Sequence, residues 1–353
     1  MAGNKEFMDA LDAIEKDKNI SKDVMIEAIE NSLLQACKNQ FGKSENIKVQ
    51  INKNTGAIAV FSEKEIVEEV EDPATQITLD EARQKFPKKK LEIGDNVNIE
   101  VTPKNFDRIS AQKAKQTVIQ KVREEERKVL FDQYSALEHQ LVTGVVQRYV
   151  GNNISINLGK VDAILTEAEQ IPGEHFRAKG DERIKLFVLE VKDSTKGPRV
   201  SVSRAHKDLI RCLFEEEVAE IAEGIVQIHG IVREPGSRSK MSVSSIDPNV
   251  DARGACIGTN SERVNAIVRE LRGEKVDIVY WNEDPAVYIE EALSPAKVSS
   301  VEVDEFEKSA KVIVPDFQLS LAIGREGQNA RLAAKLTGYK IDIRSESQNV
   351  EGN

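Results

Sequence analysis

Aromatic residues make up only 5% of this 353-residue chain, with a single tryptophan, so a function that needs many stacking platforms is excluded. Its three cysteines, Cys37, Cys212 and Cys256, stand far apart without a C-x-x-C pair. That rules out a disulfide framework or a zinc ribbon and predicts buried thiols in a reducing compartment. The four histidines (His139, His175, His206 and His229) lack H-E-x-x-H or other metal spacing, and neither a Walker lysine motif nor a G-x-S-x-G elbow occurs. Asp247 and Asp251, on either side of Pro248, read as a solvated turn and not as a metal pair. The sequence therefore predicts no enzyme, no metal and no cofactor. No apolar run approaches the roughly 20 residues of a membrane span, and the opening residues lack an apolar signal region, so a cytoplasmic protein without membrane contact is expected. A net charge of −10 excludes coating of nucleic acid by bulk attraction. A specific reader needs only a local basic stripe, and one is present: between Ser320 and Arg344 five basic residues face two acidic ones.

The length exceeds what one core usually serves, and the pattern divides into several domains. Residues 6–40 read as two amphipathic helices, with Phe7, Leu11 and Ile14 on one face and then Val24, Ala28, Leu33 and Cys37 after a Ser21 cap. Strands are predicted at 47–51 and 57–61 around an Asn54-Thr55-Gly56 turn, and at 97–101, stopped by Pro103. Residues 107–137 contain neither proline nor glycine and alternate basic with acidic side chains, as in a solvated connecting helix that holds the first domain away from the rest. From Leu141 to Arg204 five short strands with glycine turns, the fourth preceded by Gly180-Asp181, predict a small closed barrel of the OB type, similar to the ribosomal-protein RNA-binding module. Tyr149, His175 and Phe176 are its residues best suited to stack on a base, or equally to fill its rim and core.

Beyond the barrel one pattern occurs twice: helix, hairpin, helix, glycine turn, helix, strand. The turns are Ile257-Gly258-Thr259-Asn260-Ser261 and Ile323-Gly324-Arg325-Glu326-Gly327. A G-x-x-G turn is the element with which KH modules clamp about four nucleotides of single-stranded nucleic acid. Glycine at each end removes the Cβ atoms that would hold a sugar-phosphate backbone away, and the amides opening the next helix face a phosphate. In the second copy Gln328 and Asn329 open that helix, and Arg331 and Lys335, four residues apart, form a phosphate-facing edge. In the first copy Ser261 replaces the closing glycine, where it is expected to cap the helix and narrow the approach. Arg263 and its basic neighbours are nearly cancelled by acids there, so the first site is expected to be the weaker one.

The whole chain resembles the NusA family of bacterial transcription elongation, termination and antitermination factors, in the form without extra C-terminal repeats. The resemblance is carried by LSLAIGREGQNARLAAKLTG at 319–338, GEKVDIV at 273–279, Asp284-Pro285, ALSPAK at 292–297, VTPKNFDRISAQ at 101–112 and TKGP at 195–198. Departures fall at Asp107, where the family commonly has glycine, at Ala252-Arg253 in place of Pro-Val, and at Ser261. What the resemblance implies is an α+β multidomain protein: an RNA polymerase-binding domain with its connecting helix (1–133), an OB-fold domain (134–205), and two bacterial-type KH domains (206–282 and 283–349). It implies a monomer that binds RNA polymerase and nascent single-stranded RNA and works with other elongation and antitermination factors. A ribosome- or RNA-processing-associated RNA-binding factor is the alternative, and an RNA-degrading enzyme the more distant one, since the chain has no spare length for a catalytic core.

Overall fold

The computed structural model describes residues 5–18, 20–41, 46–87, 89–102, 106–176 and 182–351. It divides into two compact units, Met1–Val129 and Leu130–Asn353. Pro103 and the Gly180-Asp181 pair of the barrel signature lie outside the described residues.

The first unit opens with α1 (Lys5–Lys18) and α2 (Lys22–Phe41). The buried stripe of α2 is Met25, Ile29, Leu33 and Cys37, spaced by four. Val24, expected in that stripe, is 42% exposed, because Met25 and Ile29 rather than Val24 and Ala28 continue the line from Leu33. The sheet is formed by β1 (Ile47–Ile51), β2 (Ile58–Val67), β3 (Gln76–Thr78) and β4 (Asn96–Glu100), with a short α3 (Leu79–Lys85) after β3. β2 pairs with all three other strands, antiparallel to β1 and β4 and parallel to β3. The β1–β2 turn is closed by Gly56 N–H donating to the Asn52 carbonyl at 2.8 Å. β3 and α3 were not legible as elements in the sequence: three strand residues leave too short a pattern, and only the cap from Glu81 N–H to the Thr78 hydroxyl (3.4 Å) marks the helix start. The helix α4 (Phe106–Ser135) supplies Ala114, Val118 and Val122 to the core beneath α1 and α2, and Leu130, Phe131 and Tyr134 to the barrel core.

In the second unit β5 (Leu141–Val150), β6 (Asn153–Asn157), β7 (Asp162–Leu165), β8 (Arg183–Lys192) and β9 (Arg199–Ser203) close into a barrel of order β5-β6-β7-β9-β8. Only β7–β9 is parallel. Alternation along the strands fills the interior with Val146, Ile154, Ile156, Leu165, Leu186 and Val202. Phe176 joins that core at 6% exposure and offers no free ring, whereas Tyr149 is 42% exposed, with its hydroxyl accepting from the Phe176 amide at 3.1 Å.

Two α/β modules follow. The first comprises α5 (Asp208–Glu217), α6 (Ala219–Ala222), β10 (Val226–Glu234), β11 (Arg238–Ser245), α7 (Ala252–Ile257), α8 (Glu262–Glu270) and β12 (Lys275–Tyr280). The second comprises α9 (Pro285–Ala292), β13 (Ser300–Asp304), β14 (Ser309–Val314), α10 (Leu319–Ile323), α11 (Gln328–Thr337) and β15 (Lys340–Ser345), and α12 (Glu346–Glu351) ends the fold. The helix expected over 207–221 is broken at the fully buried Val218, whose extended backbone (φ −119°, ψ 103°) starts α6. Both sheets share one topology, an antiparallel hairpin whose second strand pairs in parallel with the strand after the turn. Asp284 caps α9 by accepting from Ala286 N–H at 2.8 Å, with Pro285 in the first helical position.

Ionic ties join the barrel to the first module. Arg204, 1% exposed, donates to Glu174 (3.2 Å) of the barrel and to Glu270 (2.7 Å) of α8, and also to the carbonyls of Lys185 and Glu270. Arg272 pairs with Glu182 and stacks its guanidinium over the Phe176 ring. With its second bond to Glu174, Arg204 has an acceptor for every N–H of its buried guanidinium, which offsets its desolvation.

Candidate nucleic-acid interface

The two glycine turns have the same backbone. Gly258 (φ 74°, ψ 171°) matches Gly324 (77°, 171°), Asn260 (52°, 26°) matches Glu326 (54°, 25°), and Ser261 (60°, 25°) matches Gly327 (75°, 14°). The opening position lies in a region essentially reserved for glycine, and the closing one in the left-handed helical region. A Cβ on Gly324 would sit 2.8 Å from the backbone nitrogen of Asn329, so the turn is folded directly onto the start of α11. A Cβ on Gly327 would find only the tip of Arg331, at 3.8 Å. The closing position is therefore roomy, and serine fits there at the cost of its left-handed φ. Ser261 occupies the residue before α8 but makes no capping bond with its side chain, contrary to expectation: its left-handed backbone is not the extended one from which a capping hydroxyl reaches the helix amides.

Around the second turn the expected residues separate into two groups. Arg325 and Glu326 form the exposed tip, with side chains 92% and 83% exposed and only a loose mutual contact of 3.7 Å. Ile323 is 38% exposed and Lys335 is exposed on α11. Asn329 is instead buried, its amide donating to the carbonyls of Leu293 and Ala322 at 3.0 Å each, so it holds α10 against α11. Gln328 and Arg331 reach the first module: Gln328 donates to Glu234 and Ser237 (2.7 Å each) and Arg331 to Glu234 (2.9 Å). The expected Arg331–Lys335 edge is therefore split, because the carboxylate ending β10 takes one of its two cations. Those same contacts hold the Glu234 carboxyl below its ordinary value, the Arg331 hydrogen bond first.

At the first turn Thr259 and Asn260 are the exposed tip, neutral where the second carries Arg325 and Glu326. Arg263 is turned back, donating to the Ala255 carbonyl (2.6 Å) and Glu220 (2.9 Å) with its stem packed across Gly258. It braces the turn and leaves the tip without that cation.

The modules abut closely. Tyr288 of α9 donates to Ser242 of β11 at 2.9 Å, and Lys240, fully buried, reaches Asp277 (3.1 Å) and the Ser294 carbonyl (2.7 Å). Between them lies a cleft of about 360 Å³ whose lining includes Arg238 and Lys275 of the first module and Ser320, Leu321, Gly324 and Arg325 of the second. Arg238 was missed by sequence reasoning, because it stands on a hairpin 86 residues before Gly324 and no periodicity links them. Its charge is balanced by a bidentate pair with Asp277 (2.6 and 3.0 Å). His175 is exposed, and its carbonyl receives Arg272 at 2.8 Å. Among the described residues no group of three or more His, Cys, Asp or Glu could hold a metal ion, and no helix is long and apolar enough to cross a membrane.

A closed five-stranded barrel ahead of two abutting KH modules, whose turns share one backbone, defines an architecture for single-stranded nucleic acid. The comparisons narrow it. The NusA N-terminal domain family matches residues 6–128, the NusA-like first KH domain family residues 204–281, and the NusA-like second KH domain family residues 285–351. The chain is 52% identical over 345 residues to the transcription termination/antitermination protein NusA of Halalkalibacterium halodurans, covering 98% of this chain and 89% of that one. To the protein of that name from Bacillus subtilis it is 50% identical over 344 residues, covering 98% and 92%, and to that from Thermus thermophilus 42% over 349 residues, covering 96% and 89%. The chain belongs to the NusA family.

Proposed function

We propose that this protein is a non-enzymatic, monomeric, cytoplasmic transcription factor that binds RNA polymerase and nascent single-stranded RNA and modulates pausing, termination and antitermination together with other elongation factors. Residues 1–133 are the polymerase-binding domain, 134–205 the OB-type RNA-binding barrel, and 206–282 and 283–349 the KH pair. The observation that carries this reading is the repeated turn: two modules hold the same glycine-gated backbone against the start of a helix, beside a cleft with basic lining. Gly324 and Gly327 allow the RNA backbone to approach, the amides opening α11 and the Arg325 cation meet phosphate, and Gly258, Thr259, Asn260 and Ser261 offer a second, neutral cradle.

The test has two arms. A retention assay on core RNA polymerase compares the full chain with residues 1–133 alone; failure of that fragment to be retained sinks the polymerase assignment. A labelled single-stranded RNA titration compares the chain with Arg325→Asp at several salt concentrations. The expected result is weaker binding with a shallower salt dependence, by about one counterion. Equal affinity with equal thermal stability removes the second turn as the clamp.

A further inference from the structure

In a chain poor in aromatic residues, one phenyl ring stands out beside the candidate RNA site. Phe317, in the short turn between β14 and α10, is 80% exposed. Phe317, Ser320, Leu321 and Gly324 fall at i, i+3, i+4 and i+7, one stripe of the segment that leads into the second turn. Leu321 is itself 45% exposed, and Ser320, Leu321, Gly324 and Arg325 line the cleft between the KH modules. At about 1.5 Å per residue the stripe runs ~10 Å from the clamp to the ring. That is about three nucleotide steps at the ~3.4 Å rise of a stacked strand. The adjacent Asp316 carboxylate is engaged by the Ser347 amide (3.2 Å) and hydroxyl (2.8 Å).

We propose that Phe317 is a base-stacking platform that extends the RNA site beyond the phosphate clamp of the second turn; this rests on the reading of that turn as an RNA clamp. The turn holds the sugar-phosphate backbone through amides and charge, which places the bases off that backbone and within reach of an apolar surface. An uncovered phenyl at the end of the stripe provides one, because every base has a π-face to stack on it. Leu321 covers the interval between ring and turn. Among the described residues a second exposed phenyl, Phe306 at the tip of the β13–β14 hairpin, is 100% exposed but flanked by Asp304, Glu305 and Glu307, a setting that repels phosphate.

The test uses the full chain and a labelled single-stranded RNA of about sixteen randomised nucleotides. Phe317→Ala is expected to weaken binding roughly 5- to 100-fold with an unchanged salt slope, since no cation is lost, while Phe317→Trp retains affinity. Phe306→Ala, the control, leaves affinity unaltered. On an oligomer of abasic sugar-phosphate, Phe317→Ala is expected to cost nothing further. Binding by Phe317→Ala within twofold of the parent, while Arg325→Asp weakens it, overturns the platform and leaves the clamp standing, with the ring then a protein contact. If neither substitution affects RNA binding, the clamp reading fails and the platform with it. An equal loss for Phe317→Ala on the abasic oligomer also overturns stacking.

Discussion

Alanine at Gly324, Gly258 and Gly327 and glycine at Ser261, the four end positions of the two turns, should give an ordered set of effects, and the order follows from two separable terms. At Gly324 the backbone (φ 77°, ψ 171°) is one that residues with a Cβ avoid, worth about 1–3 kcal/mol. Its Cβ also falls 2.8 Å from both the backbone nitrogen and the Cβ of Asn329, neither of which can move without shifting α11, and overpacking of this kind costs about 1–3 kcal/mol more. Gly324→Ala is thus expected to cost about 2–6 kcal/mol. Gly258→Ala carries the same backbone term, but the atoms it meets, from 2.8 Å, belong to the Arg263 side chain, which can give way, so its cost falls below that of Gly324→Ala. Gly327→Ala has room and bears only the left-handed term of about 1 kcal/mol. Ser261→Gly relieves that term while adding freedom to the unfolded chain, for a net gain of about 0.5 kcal/mol. Hydrogen exchange of the amides in α7, α8, α10 and α11 of the full chain reads local opening directly, without assuming that a multidomain protein unfolds in one step. The reasoning is refuted if Gly324→Ala loses no more protection than Gly327→Ala, or if Ser261→Gly loosens α8.

Arg204→Met should destabilise the second unit by about 3 kcal/mol, because the Glu174 carboxylate, whose side chain is 1% exposed, keeps only its contact with Arg272 (3.3 Å); Arg325→Ala at the exposed tip should stay within about 0.5 kcal/mol, and thermal unfolding compares them. Since the folded state holds the Glu234 carboxyl below its ordinary value of 4.5, the tie to Arg331 and Gln328 contributes fully above that value and is lost as pH falls through the lower, folded one. Exchange protection of α11 should therefore decline on acidification below about pH 4.5 in the parent, and Glu234→Gln should flatten that part of the decline. Burial pushes the Cys256 thiol up to about 12 and the Cys212 thiol up to about 11, so native protein at pH 8 should react slowly with a thiol reagent at both, and quickly only after denaturation.

Elements whose side chains repeat over many residues were legible before any coordinates: the barrel strands, both hairpins, the long α4 and the doubled KH pattern all stand where periodicity and turn residues put them. What escaped had short-range or long-range causes. β3 is three residues long and pairs in parallel, so neither alternation nor a hairpin turn announces it. Val24 and Met25 are both apolar, and only packing decides which of them faces the core. At the site, the glycines and the exposed Arg325 could be read from the turn itself. The inward direction of Asn329, the recruitment of Arg331 by Glu234 and the bracing role of Arg263 could not. Each depends on a partner brought near by the fold, 97 residues away for Arg331.

That recruitment bears on how the two turns act. Gln328 and Arg331 lie in the first turns of α11, the helix that follows the second turn, and both are bound to Glu234 at the end of β10, Gln328 also to Ser237 beside it. Tyr288 and the buried Lys240 add ties from two other elements. The second turn is thus fixed by contacts that also fix the first module, so a strand lying on it meets a surface already ordered. Binding then forgoes much of the ordering cost, about 0.5–1.5 kcal/mol for each rotamer-rich side chain that need not be immobilised. If the turn is an RNA clamp, Arg331 is expected to do more for affinity by holding the modules together than it would as one more exposed charge screened by salt. Glu234→Ala separates the two roles. It frees Arg331 to meet phosphate, so a charge-dominated site would bind RNA more tightly, whereas a site that depends on pre-ordering binds more weakly even though a carboxylate has been removed. The second result is expected; tighter binding, with the stability of the second unit unchanged, would show that the ion pair restrains the site and does not prepare it.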